Sequence, residues 1–108
     1  MEILEFFKER YIQESTSERP LIKVSDTVEK GSLRYITIWF DYVCGGTYDY
    51  RLKEAGITPE QIKDARDKGF LGYRYYSNWE ARMRGNTNYY FITRKGIKEL
   101  YKQYKGQL

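Results

Sequence analysis

Between Thr58 and Tyr104 the hydrophobic period of the chain changes twice, and that order leaves few folds open. Thr58-Pro59-Glu60-Gln61 reads as a helix start, with Thr58 at the cap, Pro59 at the first position and Gln61 completing a capping box. The helix should run to about Lys68, bury Ile62 and Ala65, and end at Gly69. Leu71–Tyr76 then alternates, with Leu71, Tyr73 and Tyr75 on one face and Arg74 and Tyr76 on the other. Asn88–Ile92 is the returning strand. Thr93 caps a last helix whose Ile97, Leu100, Tyr101 and Tyr104 share one stripe. The eleven-residue stretch between the strands, Ser77–Thr87, is expected to be a basic loop, with Trp79 and Met83 folded back onto the sheet. Helix, hairpin and helix in one run predict an α+β domain.

Upstream, Ile3, Leu4, Phe7 and Tyr11 line one face of a helix over Glu2–Gln13. Glu14–Pro20 breaks it, Leu21–Val24 is a candidate short strand, and Ser25–Gly31 is a polar connection. Leu33–Cys44 carries two signals. Its β-branched and aromatic content favours a strand, whereas Ser32 as N-cap and the Gly45-Gly46 stop favour a helix, which is the expectation taken. Thr47-Tyr48-Asp49 reads as a short strand or turn, followed by a brief helix Tyr50–Ala55 that Gly56 closes. No internal repeat or second domain is visible. The expected organisation is a single domain, with residues 1–31 as an N-terminal extension and 32–105 as its core.

The same residues limit the chemistry. A chain of 108 residues can bury an adequate core and no more. It has 12 Tyr, so much of its packing must come from rings with a polar tip. It has no His, the commonest general base and metal ligand near neutral pH, and its one cysteine, Cys44, cannot complete a zinc site. An enzyme is therefore not expected, nor is any cofactor or metal. Cys44 is expected to be a small buried apolar residue in a reducing, cytoplasmic setting. No apolar run is long enough for a membrane span, and the acidic, amphipathic start does not resemble a secretory signal.

Charge divides the chain. Residues 1–68 hold 11 Lys/Arg against 13 Asp/Glu, a net −2, whereas residues 69–108 hold 8 against 2, a net +6, giving the overall +4. A basic half this one-sided points to an anionic partner, and nucleic acid is the commonest for such a domain. The bland alternative is a solubilising surface.

The order from Leu33 to Tyr104 resembles a winged helix-turn-helix domain. The closest likeness is to MarR-like and PadR-like regulators, in which an aromatic wing strand returns into a Leu-Thr-x-x-Gly helix start. Here that signature stands as Tyr90-Phe91-Ile92-Thr93-Arg94-Lys95-Gly96, and Ile57-Thr58-Pro59-Glu60-Gln61-Ile62 with Gly69-Phe70-Leu71 looks like the second and third helical elements meeting the first wing strand. The resemblance implies a long two-stranded wing and double-stranded DNA as partner. It also implies Gln61, Lys63 and Arg66 as residues facing base edges or nearby phosphates, and a homodimer for which the N-terminal helix is the available element. The third helix departs from the usual pattern, because Glu60, Asp64 and Asp67 balance Lys63, Arg66 and Lys68. Phosphate contact is therefore expected mainly from the wing, through Arg74, Arg82 and Arg84, with Tyr76 and Asn86 beside them and Lys95 at the start of the last helix. Two rivals remain open: a protein-interaction module anchored by exposed aromatics and Arg, and a single-strand binder that stacks bases on Tyr75, Tyr76 and Trp79.

Overall fold

The helix at Pro59–Asp67 begins as its sequence dictates. In the computed structural model, which describes residues 1–19, 23–43 and 45–108, the Thr58 hydroxyl accepts from the Gln61 N–H at 3.2 Å and the Gln61 side-chain oxygen accepts from the Thr58 N–H at 2.8 Å. Two other helices start the same way. Ser32 accepts from the Tyr35 N–H at the head of Leu33–Tyr42, and Thr93 accepts from the Gly96 N–H at the head of Arg94–Tyr104. These local bonds satisfy N–H groups that the helices cannot satisfy internally. They also decide the ambiguous segment: Leu33–Tyr42 is helix, with Ile36, Trp39 and Phe40 buried. Replacing Thr58 with Ala should cost about 1 kcal/mol, read as a lower midpoint in urea unfolding at unchanged slope.

In chain order the elements are α1 (Ile3–Ser15), α2 (Leu33–Tyr42), β1 (Gly46–Tyr48), α3 (Asp49–Glu54), α4 (Pro59–Asp67), β2 (Leu71–Tyr75), α5 (Trp79–Arg84), β3 (Asn88–Ile92), α6 (Arg94–Tyr104) and a closing 3-10 turn, Lys105–Gln107. The fold is α+β, with six α-helices and one three-stranded antiparallel sheet among the described residues. Strand order is β1-β3-β2, so the late strand β3 lies between the two earlier ones. Its register pairs Phe91 with both Gly46 and Gly72, and Tyr89 with both Tyr48 and Arg74. Because side chains alternate across a strand, Thr47, Tyr73 and Tyr90 share one face of the sheet, while Tyr48, Arg74, Tyr89 and Phe91 share the other.

The core gathers apolar residues from α1, α2, α3, α4, α6 and the sheet. At its centre Trp39 meets Tyr11 edge-on at 5.2 Å and Phe40 at 5.0 Å, and Phe7 meets Phe40 at 6.4 Å. Such pairs gain from ring quadrupoles as well as from burial. The described residues before 32 share this core with the rest of the domain. Ile3, Leu4, Phe7 and Tyr11 are buried against the rest of the domain, because a chain this short needs that stripe to complete its core. The apolar face of α1 is thereby covered by its own domain. Even Lys8 is drawn in: its ammonium donates to the Gln107 side chain at 3.1 Å, pairs with Glu9 at 2.9 Å and lies 4.7 Å from the centre of the Tyr104 ring.

The stretch Ser77–Thr87 is not a plain loop. It holds α5, capped by the Asn78 side chain accepting from the Ala81 N–H at 2.7 Å and closed by Gly85 in the left-handed conformation, φ 70°. None of its residues is buried, so it carries no apolar period for a sequence reading to find. Two further expectations fall outside the described residues: Cys44, and the Leu21-Ile22 half of the candidate strand Leu21–Val24. Its other half, Lys23 and Val24, is not in a strand.

Candidate functional site

The short turn at Gly69 folds α4 back against β2, and α3 closes the third side. The result is an open groove of about 730 Å³ whose floor is Ile62, Leu71 and Tyr90. Lys63, Arg66 and Asp67 form one wall from α4, Asp49 and Lys53 come from α3, and Tyr73 stands on the sheet. Most of the charges are matched. Lys53 pairs with Asp49 at 3.0 Å and Lys63 with Asp67 at 3.0 Å. Arg66 is different: it is in no salt bridge among the described residues and lies 4.5 Å over the Tyr73 ring. The Tyr73 hydroxyl donates to the Asn88 side chain at 2.6 Å, which fixes the ring that Arg66 rests on. Burial, seconded by the Asp49 carboxylate, pushes the Tyr90 hydroxyl above its ordinary pKa.

The nine residues singled out from the sequence do not converge on one place. Lys63 and Arg66 share the groove. Arg74 lies on the opposite face of the sheet, 5.4 Å over the Phe91 ring, and Tyr76 packs edge-on against Tyr89 at 6.1 Å on that same side. Arg82 and Arg84 stand exposed on α5. Arg84 pairs with Glu80 at 3.0 Å, while Arg82 has no partner among the described residues. Lys95 lies alongside Gly69 at the far end of α4.

One of the nine is corrected. Gln61 does not face outward toward a ligand: one end of its amide closes the capping box and the other donates to the Met1 carbonyl at 3.3 Å. The side-chain oxygen of Asn86 is buried without a partner among the described residues, while its backbone N–H donates to Ala81 at 2.8 Å. Asn86 therefore shapes the end of α5. Trp79 and Met83 are corrected as well, because they do not fold back and are 74% and 79% exposed. One helical turn apart, they share a face of α5, and Ala81 on another face makes the partly buried contact.

Sequence reasoning missed Asp49 and Lys53, which reach the groove only through the packing of α3, and Tyr73, which it placed on the sheet without a role. No helix among the described residues is long and apolar enough to cross a membrane. A scan against protein-family models and searches of curated proteins and of solved structures found no match for this chain.

Proposed function

We propose that this chain is a small winged-helix protein that binds double-stranded DNA, as a regulator or as an accessory factor of replication or of a mobile element. In this reading α2, α3 and α4 are the three helices of the motif, α4 is the element laid toward the major groove, and the hairpin β2–β3 is the wing. Strand order β1-β3-β2, with β1 between the first two helices of the motif, suits that layout. The observation that carries the reading is the groove between α4 and the hairpin, where Arg66 is held by Tyr73 with no acidic partner among the described residues.

Binding is largely electrostatic. Arg66 and Arg82 are free of salt bridges among the described residues, and the exposed Lys63–Asp67 and Arg84–Glu80 pairs are weak enough to exchange a carboxylate for a phosphate. About five neutralised phosphates would give a salt slope of roughly −4 to −5 in log–log form. Because α4 is neutral, affinity rests more on the wing than on the reading helix. Reversing both tip charges, Arg82→Glu with Arg84→Glu, should weaken duplex binding at low salt by tenfold or more, at about 1.4 kcal/mol per factor of ten. The salt slope should become shallower by about two. Fluorescence anisotropy on a labelled duplex measures both. Unchanged affinity at low salt would overturn the proposal.

One observation favours a second reading, a protein-interaction module on the same scaffold. Trp79 and Met83, each more than seven-tenths exposed, flank Arg82 on α5, and aromatics, Met and Arg are the residue types enriched at interface centres. Duplex binding that ignores the charge reversal would move the weight to this reading.

A further inference from the structure

The sheet face turned away from the groove is paved with rings. Tyr48 stacks on Tyr50 at 6.3 Å with planes 9° apart, and meets Tyr89 at 5.3 Å. Tyr89 in turn meets Tyr76 at 6.1 Å and Phe91 at 6.5 Å, so five rings form one connected row. Two glycines make the paving flat. Gly46 and Gly72 oppose Phe91 in the register, and a Cβ built on Gly46 would overlap the Tyr89 ring while one on Gly72 would overlap the Phe91 ring. The rings therefore lie down across the strands where side chains would ordinarily stand up. None of the five is fully buried.

Charge around the row is positive. Arg74 lies 5.4 Å from the centre of Phe91 at one edge and Arg51 lies 5.7 Å from the centre of Tyr50 at the other, and neither is in a salt bridge among the described residues. Of the acids at the rim, Asp41 is paired with Arg94 at 3.0 Å and Glu9 with Lys8 at 2.9 Å, while Glu14 is in no salt bridge among the described residues.

We infer that this face is a binding platform for single-stranded nucleic acid, with bases stacking on the tyrosine row and Arg51 and Arg74 meeting the backbone. A duplex hides its base faces in its own stack, whereas an unpaired strand offers them, and every base has such a face. Rings supply tolerance of sequence, and unpaired guanidiniums supply the attraction for phosphate. The inference stands apart from the duplex reading, because the row and the Arg66 groove use opposite faces of the sheet.

The test is an anisotropy titration of the full chain with a short oligothymidylate and a short oligouridylate at low salt, run beside the duplex. Wild type is expected to bind at least one of the single strands, and the two arms distinguish DNA from RNA. Tyr89→Leu and Tyr50→Ala should each weaken that binding roughly tenfold and leave duplex binding unchanged. Arg74→Glu should weaken it and make its salt dependence shallower. Arg82→Glu with Arg84→Glu should leave single-strand affinity as it was, so failure of the duplex proposal and failure of this one are separate outcomes. If Tyr89→Leu unfolds by circular dichroism, the exposed positions Tyr50 and Arg74 carry the test. Absence of single-strand binding by wild type, or wild-type affinity in the folded Tyr50 and Arg74 variants, would overturn the inference.

Discussion

Phe7→Ala should unfold this protein more readily by about 3–5 kcal/mol, although it lies in the stretch that reads as an extension. Phe7 has no exposed surface, meets the Phe6 ring edge-on at 5.5 Å and touches Phe40 across the core. Removing the ring forfeits its transfer free energy and leaves a void between α1 and α2 that a small core refills poorly. For a domain of roughly this length each kcal/mol lowers the melting temperature by about 4–8 °C, so a drop of about 12–40 °C is expected. Native domains are stable by only about 5–15 kcal/mol, and one ring would remove a large share of that. Thermal melts followed by circular dichroism decide the matter. A loss below about 1 kcal/mol would mean that α1 is an appendage after all.

Gly96→Ala should also destabilise strongly, against the local preference of the helix it sits in. In a helix interior Ala is better than Gly by about 1 kcal/mol, so propensity alone predicts a gain. Packing decides otherwise. A Cβ on Gly96 would overlap the Phe70 carbonyl oxygen and come within 2.8 Å of Ile92 Cγ1. The Phe70 carbonyl cannot move aside easily, because it accepts from the Thr93 N–H at 3.0 Å while the Thr93 hydroxyl donates to the Gly69 carbonyl at 2.6 Å. Those bonds fasten the start of α6 to the turn between α4 and β2. We expect a net loss of about 1–3 kcal/mol. Gly106→Ala, whose Cβ would meet nothing within 4 Å, should be close to neutral. Equal melting temperatures for the two variants would refute the account.

These two residues also show how far the sequence could be read. Gly96 was legible as part of a helix-start signature, since Thr93 and Gly96 lie three residues apart and the cap is local. The same holds for Ser32 and Thr58. What stayed hidden depends on which strand pairs with which. Arg66 and Arg74 look alike in the sequence, yet β2 alternation and the position of α4 put them on opposite sides of the sheet. The paving by Tyr48, Tyr89 and Phe91 requires β1 to pair with β3, a pairing between residues more than forty positions apart, as in Gly46 with Phe91. Gln61 carried two readings in the sequence, as the residue that completes the capping box and as a base reader; the cap forms, and the other end of its amide is taken by the Met1 carbonyl. Trp79 and Met83 were expected inside because large apolar side chains usually find cover, but six residues of α5 offer too little surface to supply it.

The construction of α5 has a bearing on how such a protein could diversify. The helix is held at its two ends, by the Asn78 cap and the left-handed Gly85, and partly by Ala81 beneath it. The side chains at 79, 80, 82, 83 and 84 are exposed and carry no burial duty. That separation of scaffold from display means substitutions there are nearly free of folding cost, so successive variants can sample new partners from an unchanged frame.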